Sequence, residues 1–194
     1  MSWVWPFPDD EAFWTWAMDP DAELSDQDED LLLHALAGLP LLVAAADRPD
    51  CPKDSYCCSV LEHYAALIIR RGHDNELAGL RAAATQAAAG VQVHTRRFAA
   101  YAERLLGYLT PHGPVTRAMA EQLTGDLLSS PSQEQRALER GQPTRLTVQV
   151  TANGKQWQCT HPGFDSDILY INRRTGMWRL SYRRPLSADE LAQL

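Results

Sequence analysis

Cysteine and histidine are the residues of this chain whose side chains could do chemistry, and several of them cluster. Cys51, Cys57 and Cys58 precede His63 within thirteen residues. Structural zinc sites usually pair cysteines two residues apart, and this cluster has no such pair. On a helix, Cys58 and His63 would lie about 140° apart around the axis, so they would not converge on one ion. We therefore expect no metal here and no cofactor elsewhere.

The same cysteines are candidates for a nucleophile. A helix N-terminus lowers the pKa of a thiol, and Cys57 and Cys58 fall in the first turn of a predicted helix. A histidine partner would meet them in space rather than in sequence, and no spacing selects one of the six histidines. Cys57 also lies on the apolar face of that helix, where a small buried hydrophobic residue is the simpler interpretation. No catalytic residue is assigned.

A second polar cluster, residues 161–167, contains His161, Asp165 and Asp167 beside a proline and a glycine. These side chains suit a metal or an acid–base pair, but the same residue types are typical of a turn between strands, which we favour. Glu62 and His63 do not form an H-E-x-x-H zinc signature, because no second histidine follows at the required offset. An enzymatic site could draw on six residues: Cys51, Cys58, His63, His161, Asp165 and Asp167.

Helical spacing of apolar residues dominates the chain before residue 141. It predicts helices over about 25–39, 54–72, 74–90, 95–109, 116–128 and 131–140. Ser25 is the predicted N-cap of the first, and Pro40 is predicted to end or kink it. These helices should form a mostly antiparallel bundle.

The apolar period changes from helical to two after Pro143. Leu146, Val148 and Val150 alternate with polar residues, and the dipeptide at 153–154, Asn-Gly, is a strong hairpin signal. A second pair of strands is predicted over 168–172 and 177–183. The predicted fold class is therefore α+β, a helical bundle followed by a C-terminal four-stranded antiparallel β-meander packed on it.

Three segments follow from these patterns. Residues 1–24 form an N-terminal arm, residues 25–141 the helical bundle, and residues 142–194 the β-meander with a short terminal helix. The last two segments should form one compact unit, because a chain of 194 residues suits a single domain of ordinary size.

Charge is distributed unevenly along the chain. Residues 1–50 hold twelve acids and one base, a net charge of −11, so the rest of the chain sums to +4 for the total of −7. Residues 144–184 carry +5, from seven bases and two acids. The arm is also aromatic, with tryptophans at positions 3, 5, 14 and 16. Such an arm should dock on an apolar and basic surface, either this chain's C-terminal third or another macromolecule.

The expected cellular compartment follows from the lack of membrane-spanning and signal-peptide patterns in the sequence. No apolar run approaches the length of a membrane span, and the N-terminus has no basic region of the kind that opens a signal peptide. Four cysteines are too few for a disulfide scaffold in a chain of this length. We expect a cytoplasmic protein with free thiols and no membrane contact.

The leading functional hypothesis is a non-enzymatic acidic binding protein that blocks a basic surface of a partner protein. An immunity protein, or another inhibitor of a bacterial toxin or nuclease, has this character, because acids steer association while tryptophans anchor it. The predicted partner-binding residues are Asp26, Asp28, Glu29, Asp30, Trp14 and Trp16.

Two alternatives stay open. One is a small enzyme with a site between bundle and sheet. The other is an autoinhibited nucleic-acid-binding regulator with a basic face on the sheet, formed by Arg173, Arg174, Arg179 and Arg183. An isoelectric point near 5.3 opposes direct binding of a polyanion, so we expect none unless the acidic arm moves away.

Overall fold

The structure is a computed structural model, which describes residues 6–23, 36–71, 73–109, 116–128, 144–152, 155–163, 170–171 and 179–183. The chain divides into two compact units. The first comprises Met1–Ala65 and Asp74–Glu103, and the second Ala66–His73 and Arg104–Leu194. Among the described residues, no helix has both the length and the hydropathy needed to cross a membrane.

The first helix of unit 1 lies inside the segment that the sequence predicted as an arm. Helix α1 spans Asp10–Met18, and the Asp9 side chain caps it by accepting from the Ala12 N–H at 2.8 Å. Asp10 and Glu11 follow in the first turn, where negative charge offsets the helix dipole. Aspartate followed by two acids is a helix-start signal, but the dense charge of this segment concealed it.

Helix α2 corrects the predicted effect of Pro40. A short 3₁₀ turn covers Leu36–Gly38, and α2 spans Leu39–Ala46, so Pro40 begins a helix instead of ending one. Proline is tolerated in the first turn because its missing N–H would have no helical partner there. The predicted helix from residue 25 falls largely outside the described residues.

The remaining helices agree closely with the sequence pattern. Helix α3 spans Asp54–Arg71, α4 spans Asp74–Ala88 and α5 spans Val93–Gly107. The core of unit 1 is formed by apolar positions of α2, which packs on α4, and by those of α4, of α3 as far as Ala65 and of α5 as far as Glu103. Among the largest fully buried side chains of this core are Phe13, Leu39, Leu42, Leu61, Tyr64, Leu80, Phe98 and Tyr101.

Unit 2 combines helix α6, Arg117–Leu128, with four strands. The strands are β1 (Thr144–Ala152), β2 (Lys155–Gly163), β3 (Tyr170–Ile171) and β4 (Arg179–Arg183). The predicted β1–β2 hairpin forms, with Ala152 opposite Lys155. Helix α6 packs on β2 and β1, and Cys159 is buried there.

The predicted four-stranded β-meander is wrong. The strand order is β2-β1-β4-β3, so β1 pairs with both β2 and β4, whereas a meander would place β2 beside β3. Two features of the sequence favour the observed order. The alternating apolar run in β1 suits an interior strand, and Pro162 suits β2 as an edge strand because proline cannot donate to a neighbour. The described residues of β3 and β4 fall within the predicted strands 168–172 and 177–183.

Other predictions are not tested by this fold. The predicted helix over 131–140 and the terminal helix lie outside the described residues. The boundaries predicted after residues 24 and 141 stay predictions, since the chain around both is not described.

Candidate interaction surface around the N-terminal helix

Helix α1 is amphipathic, and its apolar side is buried within unit 1. Phe13 and Ala17, one turn apart, are fully buried. Phe7 packs edge-to-face on Phe13 at 5.4 Å between ring centroids and also contacts Trp16 at 5.4 Å. Such aromatic contacts add to the free energy gained by burying the rings. The N-terminal segment is therefore a packed element of the fold.

Two cations of the segment that joins α2 to α3 lie over the tryptophan rings of α1. The Arg48 guanidinium is 5.4 Å from the Trp14 ring centroid, and the Lys53 ammonium is 5.4 Å from that of Trp16. Trp16 also meets Tyr56 at 6.0 Å, and its indole N–H donates to the Glu23 carbonyl at 3.1 Å. Cation–π attraction thus supplements apolar packing on this side of α1.

The C-terminal end of α1 is held by the same segment. Lys53 is buried, and its ammonium donates to the carbonyl of Asp19, the C-cap residue. The helix carries no base in its last turn, so Lys53 supplies the positive charge that its dipole favours at this end. The Cys51 thiol donates to the Ala17 carbonyl at 3.4 Å. Both contacts join positions 34 residues apart in sequence.

The opposite side of α1 faces solvent and is acidic. The described residues 6–23 contain six acids and no base, and all six acids are exposed. Among the described residues, no ion pair includes Asp10 or Glu11. The six exposed acids are Asp9, Asp10, Glu11, Asp19, Asp21 and Glu23. We call them, with Trp14, the acidic surface.

The end of α2 and the segment that follows it contact the turn between α4 and α5 and the first turn of α5. The Asp47 carboxylate accepts from the Gln92 backbone N–H at 2.9 Å. The Ala46 carbonyl accepts from the Thr95 hydroxyl at 3.0 Å and from Nε2 of His94 at 2.6 Å. A Cβ on Gly90 would lie 2.5 Å from Asp47 Oδ1, so glycine permits this close approach. The α4–α5 turn and α1 are therefore fixed to one common segment.

The thiols predicted as nucleophile or metal candidates are buried. Cys57 is fully buried and Cys58 nearly so, as the apolar-face interpretation of Cys57 predicted. Burial raises the pKa of Cys57 to about 12. Burial, followed by the nearby Glu62 carboxylate, raises the pKa of Cys58 as well. The Cys58 thiol donates to the His94 carbonyl at 3.4 Å. A thiol so strongly held in its neutral form is a poor nucleophile.

The other candidate enzymatic residues are only partly described. His63 is exposed whereas Cys58, on the same helix, is buried, in keeping with the predicted angular separation. Cys51 is buried against α1. His161 lies in β2, and Asp165 and Asp167 are outside the described residues. Among the described residues, no group of three or more metal-ligating side chains is placed to hold an ion; the absence of metal stays a prediction.

The predicted partner-binding and basic residues are only partly described. Trp14 and Trp16 are half-buried against unit 1, while Asp26, Asp28, Glu29 and Asp30 lie outside the described part of the chain. Positions 179 and 183 of β4 pair with Thr151 and Thr147 of β1, and Arg173 and Arg174 are not described. Partner binding by these residues stays a prediction.

Sequence reasoning missed three elements of this surface. It did not identify α1 as a helix, the roles of Arg48 and Lys53 against the tryptophans, or the proximity of the α4–α5 turn to the segment that holds α1. Only the first had a local signal, in Asp9 and the spacing of Phe13 and Ala17. Comparison with protein families, with characterised proteins and with solved structures finds no match to this chain.

Proposed function

We propose that this chain is a non-enzymatic protein-binding protein of the cytoplasm that covers a basic surface of a partner protein. The observation that carries this proposal is that the two sides of α1 have different environments. Phe13 and Ala17 are buried in the core of unit 1, while Asp10 and Glu11 are exposed to solvent. A fixed acidic surface loses little entropy on binding, and it accelerates encounter with a basic partner.

The predicted acids at positions 26, 28, 29 and 30 continue the same charge run in sequence. Between residues 9 and 30 the chain has ten acids and no base, enough to oppose an active-site cleft lined by lysine and arginine. We propose that the partner is a toxin or nuclease of this kind, and that the chain acts as its inhibitor or immunity protein.

Affinity capture with matched charge variants tests this proposal. Tagged wild-type chain, the variant Asp10→Asn with Glu11→Gln, and the control Asp74→Asn with Glu103→Gln are exposed to extract of the native host. The test and control pairs each remove two negative charges from exposed helical positions. We expect a basic protein that the wild type and the control recover and the α1 variant recovers poorly.

The recovered protein is then purified, and its affinity is measured at low and high salt. A roughly tenfold or larger loss of affinity on raising salt across the physiological range supports the acidic surface as the contact. Recovery that is equal for all three chains, or a recovered partner that is acidic, refutes the proposal. A second variant, with Asp26, Asp28 and Asp30 changed to Asn and Glu29 to Gln, extends the test to the predicted residues.

A further inference from the structure

The two tryptophans of α1 are covered by cations in different ways. Lys53, over Trp16, is buried, and its ammonium also donates to the backbone carbonyl of the helix C-cap. Arg48, over Trp14, keeps 46% of its side chain exposed, and its guanidinium donates to the carboxylate of Asp50, which is 65% exposed. The Lys53 contact therefore belongs to the interior of unit 1, whereas the Arg48 contact lies at its surface.

The Arg48 side chain can leave the ring without a change of the backbone. Its N–H donates to the Ala45 carbonyl at 3.2 Å, and its carbonyl accepts from the Cys51 N–H at 3.0 Å. The guanidinium donates to both carboxylate oxygens of Asp50, at 2.7 and 3.2 Å. An ion pair so exposed adds little to stability, because water screens it and solvates both groups once they part. Rotation about side-chain bonds is therefore enough to uncover Trp14.

The Trp14 ring under Arg48 is fixed in place. It packs edge-to-face on the fully buried Phe13, with 5.4 Å between ring centroids. A ring that is already ordered loses little conformational entropy when a partner covers it. A planar guanidinium also stacks on a tryptophan more readily than an ammonium does. Trp14 is thus preorganised to bind an arginine side chain.

The charges near Trp14 in sequence favour a cation supplied from outside. Asp10 and Glu11 lie one helical turn before Trp14, and both are exposed. Residues 1–50 contain twelve acids, and Arg48 is their single base. This one base lies over the tryptophan that follows the exposed acids, so the chain already places a guanidinium where a basic partner would place its own.

Other charged groups of the segment joining α2 to α3 have contacts of their own. Asp47 accepts from the α4–α5 turn, and Asp54 Oδ2 lies 3.8 Å from Nε2 of a histidine of α5. Lys53 is held at the other tryptophan. Asp50 differs from these groups, since its carboxylate accepts from Arg48 and would be exposed to a new donor once Arg48 leaves.

We propose that Trp14 and Asp50 form a subsite that binds an arginine side chain of the partner, and that Arg48 occupies this subsite in the free chain. The inference rests on the proposed function, because the basic partner supplies the arginine. On binding, the partner's guanidinium replaces that of Arg48 on the ring and on the Asp50 carboxylate, and Arg48 turns to solvent. Lysine displaces Arg48 less well, because an ammonium cannot pair with both carboxylate oxygens and stack in the same way. The exchange therefore selects partners that present arginine.

Calorimetry of the full chain with two peptides of equal charge, hexa-arginine and hexa-lysine, tests this selectivity. Wild type should bind hexa-arginine roughly fivefold more tightly than hexa-lysine, and Trp14→Leu should abolish most of that preference. Arg48→Ala should raise the affinity for hexa-arginine roughly threefold or more, because the competitor is gone. Arg97→Ala, which removes another exposed arginine of unit 1, is the matched control and should raise it less.

Nuclear magnetic resonance of chain with isotope-labelled arginine follows the exchange directly. The Nε–H signal of Arg48, identified by its loss in Arg48→Ala, should carry the ring-current shift of Trp14 in the free chain. Saturation with unlabelled hexa-arginine should move it to the position of a solvent-exposed arginine. The proposal is overturned if the signal stays in place, if wild type binds both peptides equally, or if Arg48→Ala weakens binding of hexa-arginine.

These measurements use peptides, so their outcome is separate from capture of a host partner. If capture recovers a basic protein while the peptide results fail, the arginine subsite is refuted and the proposed function stands. If the peptide results hold while capture fails, the proposed function is refuted, and arginine binding by Trp14 is supported as a property of the chain.

Discussion

Acidic residues play opposite roles in two regions of this molecule. On α6, Asp126 is mostly buried and accepts from the Arg104 guanidinium at 3.1 Å and from the Tyr108 hydroxyl at 2.8 Å. On α1, Asp10 and Glu11 are exposed and take part in no ion pair among the described residues. Asp126 joins α6 to residues 104–108 at the C-terminal end of α5, which belong to unit 2, whereas α1 is held to its unit by aromatic residues. A charge that stabilises the fold is paired with other groups of the same chain. Asp126 is paired in this way, whereas Asp10 and Glu11 form no ion pair among the described residues.

The strongest test of this comparison is Phe13→Ala. We expect a loss of about 3–5 kcal/mol in the free energy of unfolding, because a fully buried ring at the centre of the α1 contacts leaves a cavity. Denaturant unfolding measures it. The Cys51 thiol, which donates to α1, should also react faster with a thiol reagent, while Cys159 in unit 2 should not. Equal protection of Cys51 in the variant and wild type would show that α1 is not held by Phe13.

The complementary test on α6 is Asp126→Ala. The substitution removes the carboxylate to which both the Tyr108 hydroxyl and the Arg104 guanidinium donate. We expect the free energy of unfolding to fall by about 1–3 kcal/mol. Arg104 is 43% exposed, so water screens part of its attraction and the effect should stay near the lower end. Tyr108→Phe, which removes only the hydroxyl, is the control and should lower the free energy of unfolding by less than Asp126→Ala does. An unchanged unfolding midpoint would remove the contrast with α1.

The buried thiols of unit 1 add a dependence on pH. The pKa of Cys57 is raised from about 9 to about 12, so the unfolded chain loses this proton at lower pH than the folded chain does. The stability that this group contributes is complete below pH 9 and is lost as pH rises towards 12. Unfolding measured at pH 8 and pH 10 should show the decline, and Cys57→Ala should reduce it. If the free energy of unfolding falls equally steeply with pH in this variant, other groups cause the decline.

The smallest effect is expected on the exposed side of α1. Asp10→Asn with Glu11→Gln should change the free energy of unfolding by less than about 0.5 kcal/mol, apart from the modest loss of favourable charge at the helix N-terminus. The same unfolding assay measures it beside Phe13→Ala. A loss as large as that of Asp126→Ala would mean that these acids serve the fold, and they would then be poor candidates for a partner.

The sequence by itself determined the elements whose signals are local. Helix α3 begins at Asp54 as predicted and ends at Arg71, and β1 pairs with β2 in the register of the predicted hairpin, because caps, glycines and apolar periods act within a few residues. The asymmetry of charge was likewise evident from composition. Burial of Cys57 followed from its place on the apolar face of α3.

Tertiary structure alone decided which elements meet. The sequence pattern could not show that β1 pairs with β4, because strand order depends on contacts between distant segments and many orders satisfy the same alternation. It also could not show that Arg48 and Lys53 cover the tryptophans of α1, or that Asp47 fixes the α4–α5 turn, since these contacts join positions more than thirty residues apart. Because of these long-range contacts, the segment predicted as an arm contains a helix that packs on unit 1 and keeps its acids exposed.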